Sequence, residues 1–202
     1  MLRLLGIRLQ ATGQFHPGGC LLVANHVSWL DILALHAVCP QARFVSKADV
    51  RHWPLLGWLV GAVGTLFIER ERKRDAHRVV HQMAEALRAG DTVAVFPEGT
   101  TSEGRSLLPF HANLLQAAIA TQTPVQGVAL RFSEPGHAVS PAAVWVGDRT
   151  LLQSLWAVAS ADSVLARVTV LSPEVSAHSE RRALADRLRQ RLAEALEPIQ
   201  DT

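Results

Sequence analysis

The chain has 202 residues, is 49% hydrophobic and 19% charged, and carries 20 Lys and Arg against 18 Asp and Glu, for a formal net charge of +2. A chain of this length buries roughly 70% of its unfolded surface without disulfides or a structural metal. Its mean hydropathy of +0.15 excludes a disordered protein. The small net charge leaves few cations to neutralise phosphates, so we expect no nucleic-acid partner.

Short apolar runs alternate with helical patterns, which predicts an α/β fold with a largely parallel sheet flanked by helices. The predicted strands span residues 6–11, 20–24, 42–45, 65–68, 92–96, 125–130, 142–146 and 166–170. The predicted helices span residues 29–38, 54–63, 75–89, 111–121, 149–159 and 179–196. No Pro-, Ser- or Gly-rich linker divides this pattern, so we expect a single domain over residues 1–202 with no separate transmembrane domain.

The two cysteines, Cys20 and Cys39, lie in or beside apolar runs and lack the spacing of a metal site or a disulfide framework. We interpret both as buried thiols of a reducing compartment. The nine histidines form no HExxH motif and no other metal-ligand spacing, so we expect no metal site.

The segment after the second predicted strand carries the first candidate site, from Asn25 through His26 to Asp31. If Ser28 caps the following helix, His26 lies on the loop and Asp31 lies in the first turn, where its carboxylate can fold back. A carboxylate at imidazole Nδ1 fixes the tautomer that a general base acting on a hydroxyl requires. The alternative is structural, with Ser28 and Asp31 forming a capping box and His26 a polar loop residue.

The segment after the fifth predicted strand contains Pro-Glu-Gly at residues 97–99, a turn in which we expect Gly99 to adopt a positive φ. The backbone amides of such a turn, with the hydroxyls of Thr100 and Ser102, are suited to hold an anion or an oxyanion. The alternative is an ordinary surface turn.

Two further segments have both a functional and a structural interpretation. Arg70 follows the fourth predicted strand and is placed to bind a phosphate, although a charge run such as residues 69–74 is also typical of a solvated helix start. Residues 53–68 form an uncharged, largely apolar stretch, which is shorter than the about 20 apolar residues of a spanning helix. The helix predicted at 54–63 is therefore either a core helix or one that lies in a membrane surface.

Taken together, these segments resemble the 1-acyl-sn-glycerol-3-phosphate acyltransferase family of glycerolipid synthesis, over roughly residues 6–130. The resemblance rests on segments in the family's order: Asn25-His26-x4-Asp31, Phe44-Val45-x-Lys47, Gly64-Thr65-Leu66-Phe67-Ile68-Glu69-Arg70, Phe96-Pro97-Glu98-Gly99-Thr100 and Thr123-Pro124-Val125. It implies a glycerolipid acyltransferase-like α/β fold whose largely parallel sheet is mixed. It also favours a double role for Asp31, which would cap the helix and orient His26.

The resemblance implies that a fatty acyl group moves from acyl-CoA or acyl carrier protein to the free 2-hydroxyl of 1-acyl-sn-glycerol-3-phosphate, giving phosphatidic acid. It implies no cofactor, no metal and no acyl-enzyme. His26 would take the proton from the attacking hydroxyl, and Asp31 would hold the imidazole. Glu98 and Gly99 would shape the catalytic site, with turn amides stabilising the oxyanion.

The substrate-binding residues that the resemblance implies are Asn25, Lys47, Arg70, Thr100, Thr101 and Arg105. Lys47 and Arg70 would face the phosphate of the acceptor. The family's third block commonly continues with an Arg that helps to bind this phosphate, but here the position is Thr101, and Arg105 is the candidate substitute. A lost bidentate Arg contact is worth about 1.5–3 kcal/mol. An acyltransferase for lyso-ornithine lipid, whose head group has no phosphate, is therefore the alternative, and a non-catalytic lipid-binding module is the third hypothesis.

Family members usually begin with an apolar anchor, whereas the first predicted strand here follows Met1 almost directly. Either the anchor has been lost or the chain starts downstream of it. The predicted helix near residues 53–63 then becomes the candidate for membrane docking and for the acyl-chain groove, through Trp53, Leu55, Leu56, Trp58, Leu59 and Val60. We expect a peripheral or monotopic protein at the cytoplasmic face of the inner membrane, with a lysophospholipid acceptor, an acyl donor and the membrane surface as partners.

Overall fold

The structure is a computed structural model that describes residues 1–47, 66–68 and 73–197. These residues form the strands β1 (Arg8–Thr12), β2 (Leu21–Ala24), β3 (Arg43–Lys47), β4 (Leu66–Ile68), β5 (Val93–Val95), β6 (Val125–Ser133) and β7 (Leu165–Val170). The α-helices are α1 (Leu30–Val38), α2 (Lys73–Arg88), α3 (Gln116–Thr121), α4 (Leu151–Ala159) and α5 (Arg181–Leu196). Two 3₁₀ helices span Leu2–Leu5 and Ala112–Leu115.

The strands form one sheet in the order β1-β7-β6-β2-β5-β3-β4. Neighbouring strands are parallel except for β6 and β7, which run antiparallel. This arrangement confirms the predicted α/β fold with a largely parallel, mixed sheet. Because β2 lies between β5 and β6 and is parallel to both, the segments that leave the carboxyl ends of β2 and β5 meet at one edge of the sheet.

The side chains of the central strand β2 alternate between two apolar layers. Leu22 and Ala24 face the layer that contains α1. Leu21 and Val23 face the layer that contains residues of α2 and α5. All four side chains are buried, as is typical of a parallel strand covered by helices on both faces. The end of β2, where the candidate site begins, is therefore held in the middle of the molecule.

The predicted elements that fall on described residues match the structure to within a few residues, apart from two. The helix predicted at 111–121 begins as a 3₁₀ turn and becomes α3. The strand predicted at 142–146 is wrong, because that segment forms a local turn. The Ser140 hydroxyl accepts a hydrogen bond from the Ala143 amide, and the Arg149 guanidinium donates to carbonyls of the turn, namely those of Pro141, Ala142 and Val144. These contacts use backbone groups that a sheet would need.

Cys20 and Cys39 are buried free thiols, as predicted. Burial raises the pKa of the Cys20 thiol to about 12 and also raises the pKa of the Cys39 thiol, so both stay protonated near neutral pH. The helix predicted at 54–63, with its docking residues, lies outside the described residues. Within the described part of the chain, no helix has both the length and the apolar character needed to cross a membrane.

Candidate active site

His26 and Asp31 lie just beyond the carboxyl end of β2. We call residues 25–29, which connect β2 to α1, the histidine loop; His26 lies in this loop and Asp31 in the first turn of α1. The imidazole Nδ1 of His26 lies 2.7 Å from Oδ2 of Asp31, and the Asp31 side chain is fully buried. Because an ionised carboxylate only accepts hydrogen bonds, Nδ1 carries the hydrogen and Nε2 has the lone pair. The pair therefore presents a nitrogen that can accept a proton.

Asp31 also organises the start of α1. The same Oδ2 atom accepts hydrogen bonds from the backbone amides of Val27 at 2.7 Å and Ser28 at 2.8 Å. The Ser28 hydroxyl caps nothing, since within the described part of the chain it is buried without a hydrogen-bond partner. The predicted capping box is therefore only half formed, through the Asp31 carboxylate, and one oxygen of that carboxylate binds both the helix start and the imidazole.

Two residues from the segment after β5 hold the backbone of His26 in place. We call this segment, residues 96–111, the glutamate loop. Oε1 of Glu98 accepts a hydrogen bond from the His26 amide at 2.7 Å. On the other side, the Ser102 amide and hydroxyl both donate to the His26 carbonyl, at 2.8 Å and 3.2 Å. Both polar groups of the His26 backbone are therefore bound by the glutamate loop.

Glu98 connects the histidine loop to the far end of the glutamate loop. Its second oxygen, Oε2, accepts a hydrogen bond from the Leu108 amide at 2.8 Å, and the residue is only 4% exposed. Burial raises the pKa of Glu98, while the amides of Leu108 and His26 act in the opposite direction. The carboxylate is thus a buried bridge between two backbone segments that are distant in sequence.

The turn at Gly99 has the predicted geometry, with a φ of +72°. The Gly99 amide donates to the Phe96 carbonyl at 3.1 Å, which closes the turn. That amide is therefore used within the turn, and an oxyanion would have to bind other amides of the glutamate loop. Thr100 follows as an exposed residue.

The His26 ring is stacked on an aromatic ring at the start of the glutamate loop. The centroids of His26 and Phe96 are 4.4 Å apart, with 18° between the ring planes. The side chain of His26 is 20% exposed. One ring face thus lies against Phe96 and Nδ1 is bound to Asp31, while Nε2 lies on the part of the ring edge that does not contact Asp31.

Asn25, predicted to bind substrate, extends the sheet by one residue. Its side chain donates to the Leu130 carbonyl at 2.9 Å and accepts from the Leu130 amide at 2.7 Å. These two bonds continue the pairing of β2 with β6, which ends at Ala24 and Val128. The residue is 1% exposed. It lies directly beside His26 but its amide is occupied, and a direct contact with substrate stays a prediction.

The remaining predicted substrate-binding residues differ in their position and in their contacts. The Thr101 hydroxyl donates to the Trp145 carbonyl. Arg105 is exposed on the glutamate loop. Lys47 is the last residue of β3, and Arg70 lies outside the described residues. The structure thus brings Thr101 and Arg105 onto the same loop as Glu98.

Several residues that build the site were not predicted from the sequence. Phe96 was noted only as part of a motif, and Leu108 and Trp145 were not considered. The Ser102 hydroxyl, expected to bind an anion, instead donates to the His26 carbonyl. Leu108 and Trp145 act through backbone groups, which any residue type provides, so no sequence signal marks them. Among the described residues, no group of His, Cys, Asp and Glu side chains is arranged to hold a metal ion.

The fold and site define an α/β protein whose His–Asp pair, at the carboxyl ends of parallel strands, can take a proton from a hydroxyl. The sequence model of the acyltransferase family matches residues 7–131. The chain is 39% identical to the 1-acyl-sn-glycerol-3-phosphate acyltransferase of Neisseria meningitidis, over 91% of this chain and 72% of that protein. It is 37% identical to the lyso-ornithine lipid O-acyltransferase of Pseudomonas aeruginosa, over 95% of this chain and 73% of that protein.

The chain therefore belongs to the 1-acyl-sn-glycerol-3-phosphate acyltransferase family, as the sequence motifs indicated, and it is an acyltransferase. The fold is similar to that in the crystal structure of the 1-acyl-sn-glycerophosphate (LPA) acyltransferase PlsC from Thermotoga maritima. The TM-score is 0.70, with 19% sequence identity, over 100% of this chain and 76% of that one. This likeness confirms the architecture.

Proposed function

We propose that the protein is an O-acyltransferase that moves a fatty acyl group from acyl-CoA or acyl carrier protein to the free 2-hydroxyl of 1-acyl-sn-glycerol-3-phosphate, giving phosphatidic acid. The observation that carries the proposal is the 2.7 Å contact between His26 Nδ1 and the buried Asp31 carboxylate. It leaves Nε2 as a proton acceptor on the part of the ring edge that does not contact Asp31. Close relatives named for this reaction support the choice of acceptor.

In the proposed reaction, Nε2 of His26 takes the proton of the acceptor hydroxyl while its oxygen attacks the thioester carbonyl. Asp31 stabilises the imidazolium that forms. When the tetrahedral intermediate collapses, the carbon–sulfur bond breaks, and the imidazolium returns its proton to the thiolate leaving group. The net result is an ester and a free thiol, with no acyl-enzyme and no cofactor. Turn amides of the glutamate loop stabilise the oxyanion.

We further propose that Lys47, Arg70 and Arg105 bind the acceptor's phosphate. Lys47 ends β3 and Arg105 lies on the glutamate loop, and in the sequence Arg70 follows the segment of β4 by two residues. Residues 53–60 would form the acyl groove and the contact with the membrane, and attachment would be peripheral or monotopic at the cytoplasmic face of the inner membrane. A lipid substrate and the uncharged, Trp-containing sequence of this segment support this assignment.

The test is a thiol-release assay with acyl-CoA or acyl carrier protein as donor and lysophosphatidic acid as acceptor. His26→Ala should lower the rate by about 10²–10⁴-fold, because the general base is lost. His81→Ala is the matched control, since His81 is an exposed residue on α2 whose surface contact with Glu85 contributes little. Full thiol release by the His26→Ala protein would reject the mechanism. If the wild type releases no thiol when the acceptor is added, the proposed function is rejected, and a lipid-binding module is the remaining hypothesis.

A second acceptor, lyso-ornithine lipid, is favoured by one observation. Thr101 stands where the family commonly has a phosphate-binding Arg, and its hydroxyl is bonded to the Trp145 carbonyl, so this position supplies no cation. Relatives from Pseudomonas aeruginosa and Brucella abortus carry the name lyso-ornithine lipid O-acyltransferase. Competition between the two lyso-lipids in one reaction separates the candidates, because a clear preference for the phosphate acceptor rejects the second.

A further inference from the structure

Arg189 on α5 forms hydrogen bonds with the glutamate loop. It lies outside residues 7–131, the part of the chain that the family model matches. Its Nη2 donates to the Leu107 carbonyl at 2.8 Å, and its Nε donates to the Leu108 carbonyl at 3.2 Å. The Leu107 side chain is buried in the same apolar layer as Leu188 of α5. The helix therefore holds this part of the loop by both side-chain packing and a two-point guanidinium contact.

The bonded segment leads directly to the catalytic histidine. The Leu108 amide donates to Oε2 of Glu98 at 2.8 Å, and Oε1 of the same carboxylate accepts from the His26 amide at 2.7 Å. The Leu107 carbonyl and the Leu108 amide belong to the same peptide unit, so Arg189 and Glu98 bind opposite sides of one peptide. The Glu98 carboxylate then links this peptide to the His26 amide. The position of the Leu108 amide decides where the Glu98 carboxylate lies, and Glu98 in turn decides where the backbone of His26 lies.

We propose that Arg189 is a positioning residue for the acyltransfer reaction, acting through Leu108 and Glu98 on the backbone of His26. The proposal rests on the proposed function of His26 as general base. Arg189 touches carbonyl groups and acts through other residues, so its removal should change the rate at saturating substrate without changing substrate affinity. A two-point guanidinium contact sets the orientation of these carbonyls, which a single ammonium group does less well.

Arg187 provides a matched control on the same helix. It is an exposed arginine whose Nε lies 3.6 Å from Oε2 of Glu174, and Glu174 keeps a second partner in Arg191 at 2.6 Å. Arg187→Ala therefore removes the same charge and side chain from α5 without touching the glutamate loop. Any effect common to both variants is an effect of helix charge or stability.

The test compares the full-length wild type, Arg189→Ala, Arg189→Lys and Arg187→Ala. Arg189→Ala should lower kcat about 3- to 10-fold, in keeping with the loss of two neutral-acceptor hydrogen bonds. The KM values for donor and acceptor should stay unchanged, Arg189→Lys should be intermediate, and Arg187→Ala should match the wild type. Amide hydrogen exchange at Leu108 and His26 should become faster in Arg189→Ala but not in Arg187→Ala.

The exchange measurement needs no turnover, so it separates this inference from the proposed function. If the wild type does not acylate the acceptor but exchange at Leu108 and His26 rises in Arg189→Ala, the function fails and the structural link holds. An unchanged kcat, equal losses in the Arg187→Ala protein, or unchanged exchange at both amides would overturn the inference. A higher KM for the donor with unchanged kcat would show that Arg189 binds substrate instead.

Discussion

The histidine loop and the glutamate loop leave neighbouring parallel strands at the same edge of the sheet, but they contribute to the site in different ways. The histidine loop supplies the imidazole that we propose as general base, and Asp31 in the following helix binds its Nδ1. The glutamate loop supplies a carboxylate and a serine that bind the backbone of His26. In the proposed reaction, the histidine loop carries the reacting group and the glutamate loop holds its backbone in position.

The two buried carboxylates express this difference. Asp31 bonds a ring nitrogen whose charge changes during the proposed reaction, so its own charge matters in every turnover. Glu98 accepts hydrogen bonds from two backbone amides, which carry no net charge and do not react. Removing the charge should therefore lower kcat most at Asp31. At Glu98, kcat should depend on whether both oxygens can still accept hydrogen bonds. The following predictions test that distinction, in order of decreasing effect on the rate.

Asp31→Asn should lower kcat on the order of 10²-fold or more, because the neutral amide cannot stabilise the imidazolium that forms on His26. The Asn oxygen can still accept from the amides of Val27 and Ser28, so the start of α1 should remain intact. The rate is measured by thiol release and the fold by circular dichroism. Asp162→Asn, an exposed change in the turn before β7, is the control. A kcat within about twofold of the wild type would contradict the role of the Asp31 charge.

Glu98→Gln should lower kcat about 10-fold, since the amide NH₂ group would face one backbone amide and lose that hydrogen bond. The comparison with Glu103→Gln, an exposed change in the same loop, shows whether the loss is specific. If Glu98→Gln were as damaging as Asp31→Asn, the proposed division between chemistry and positioning would be wrong.

The same Glu98→Gln protein has a predicted pH signature. Burial raises the pKa of Glu98 above its ordinary value of 4.5. The folded state then binds the proton more tightly than the unfolded state, so the stability contribution of Glu98 is greatest below pH 4.5 and falls as the pH rises through the folded pKa. Thermal unfolding of Glu98→Gln should therefore depend less on pH in the range just above 4.5 than the wild type does. Parallel curves for the two proteins would contradict this sign.

Asn25→Ala should act mainly on stability. It leaves the amide and carbonyl of Leu130 without their side-chain partner in a buried position, which costs about 1–3 kcal/mol. For a chain of this size such a loss lowers Tm by roughly 2–10 °C. Asn113→Ala, an exposed substitution in a 3₁₀ helix, should leave Tm unchanged. A large rise in KM without a loss of stability would instead support the predicted contact of Asn25 with substrate.

Local patterns were sufficient to predict most of the fold. The apolar runs located the strands β2, β5 and β7, and the helical pattern over residues 75–89 located α2, whose side chains Val79, Met83 and Leu87 are buried. The pattern failed at residues 142–146, where an apolar run packs as a turn. Its backbone is bonded by Ser140 and Arg149, and side-chain contacts of that kind leave no periodic signal.

The proposed reacting pair, His26 and Asp31, was likewise visible in the sequence, since a general base requires particular side chains. The family motif also pointed to Glu98, but not to the backbone groups that it binds. The sequence by itself determined the α/β class, the family and the His–Asp pair, because each depends on residue type and local spacing. Only the tertiary structure placed Glu98 and Ser102 on the backbone of His26 and Arg189 on the glutamate loop. These contacts to backbone groups join residues 72 to 82 positions apart along the chain, and they depend on where the sheet brings the loops together.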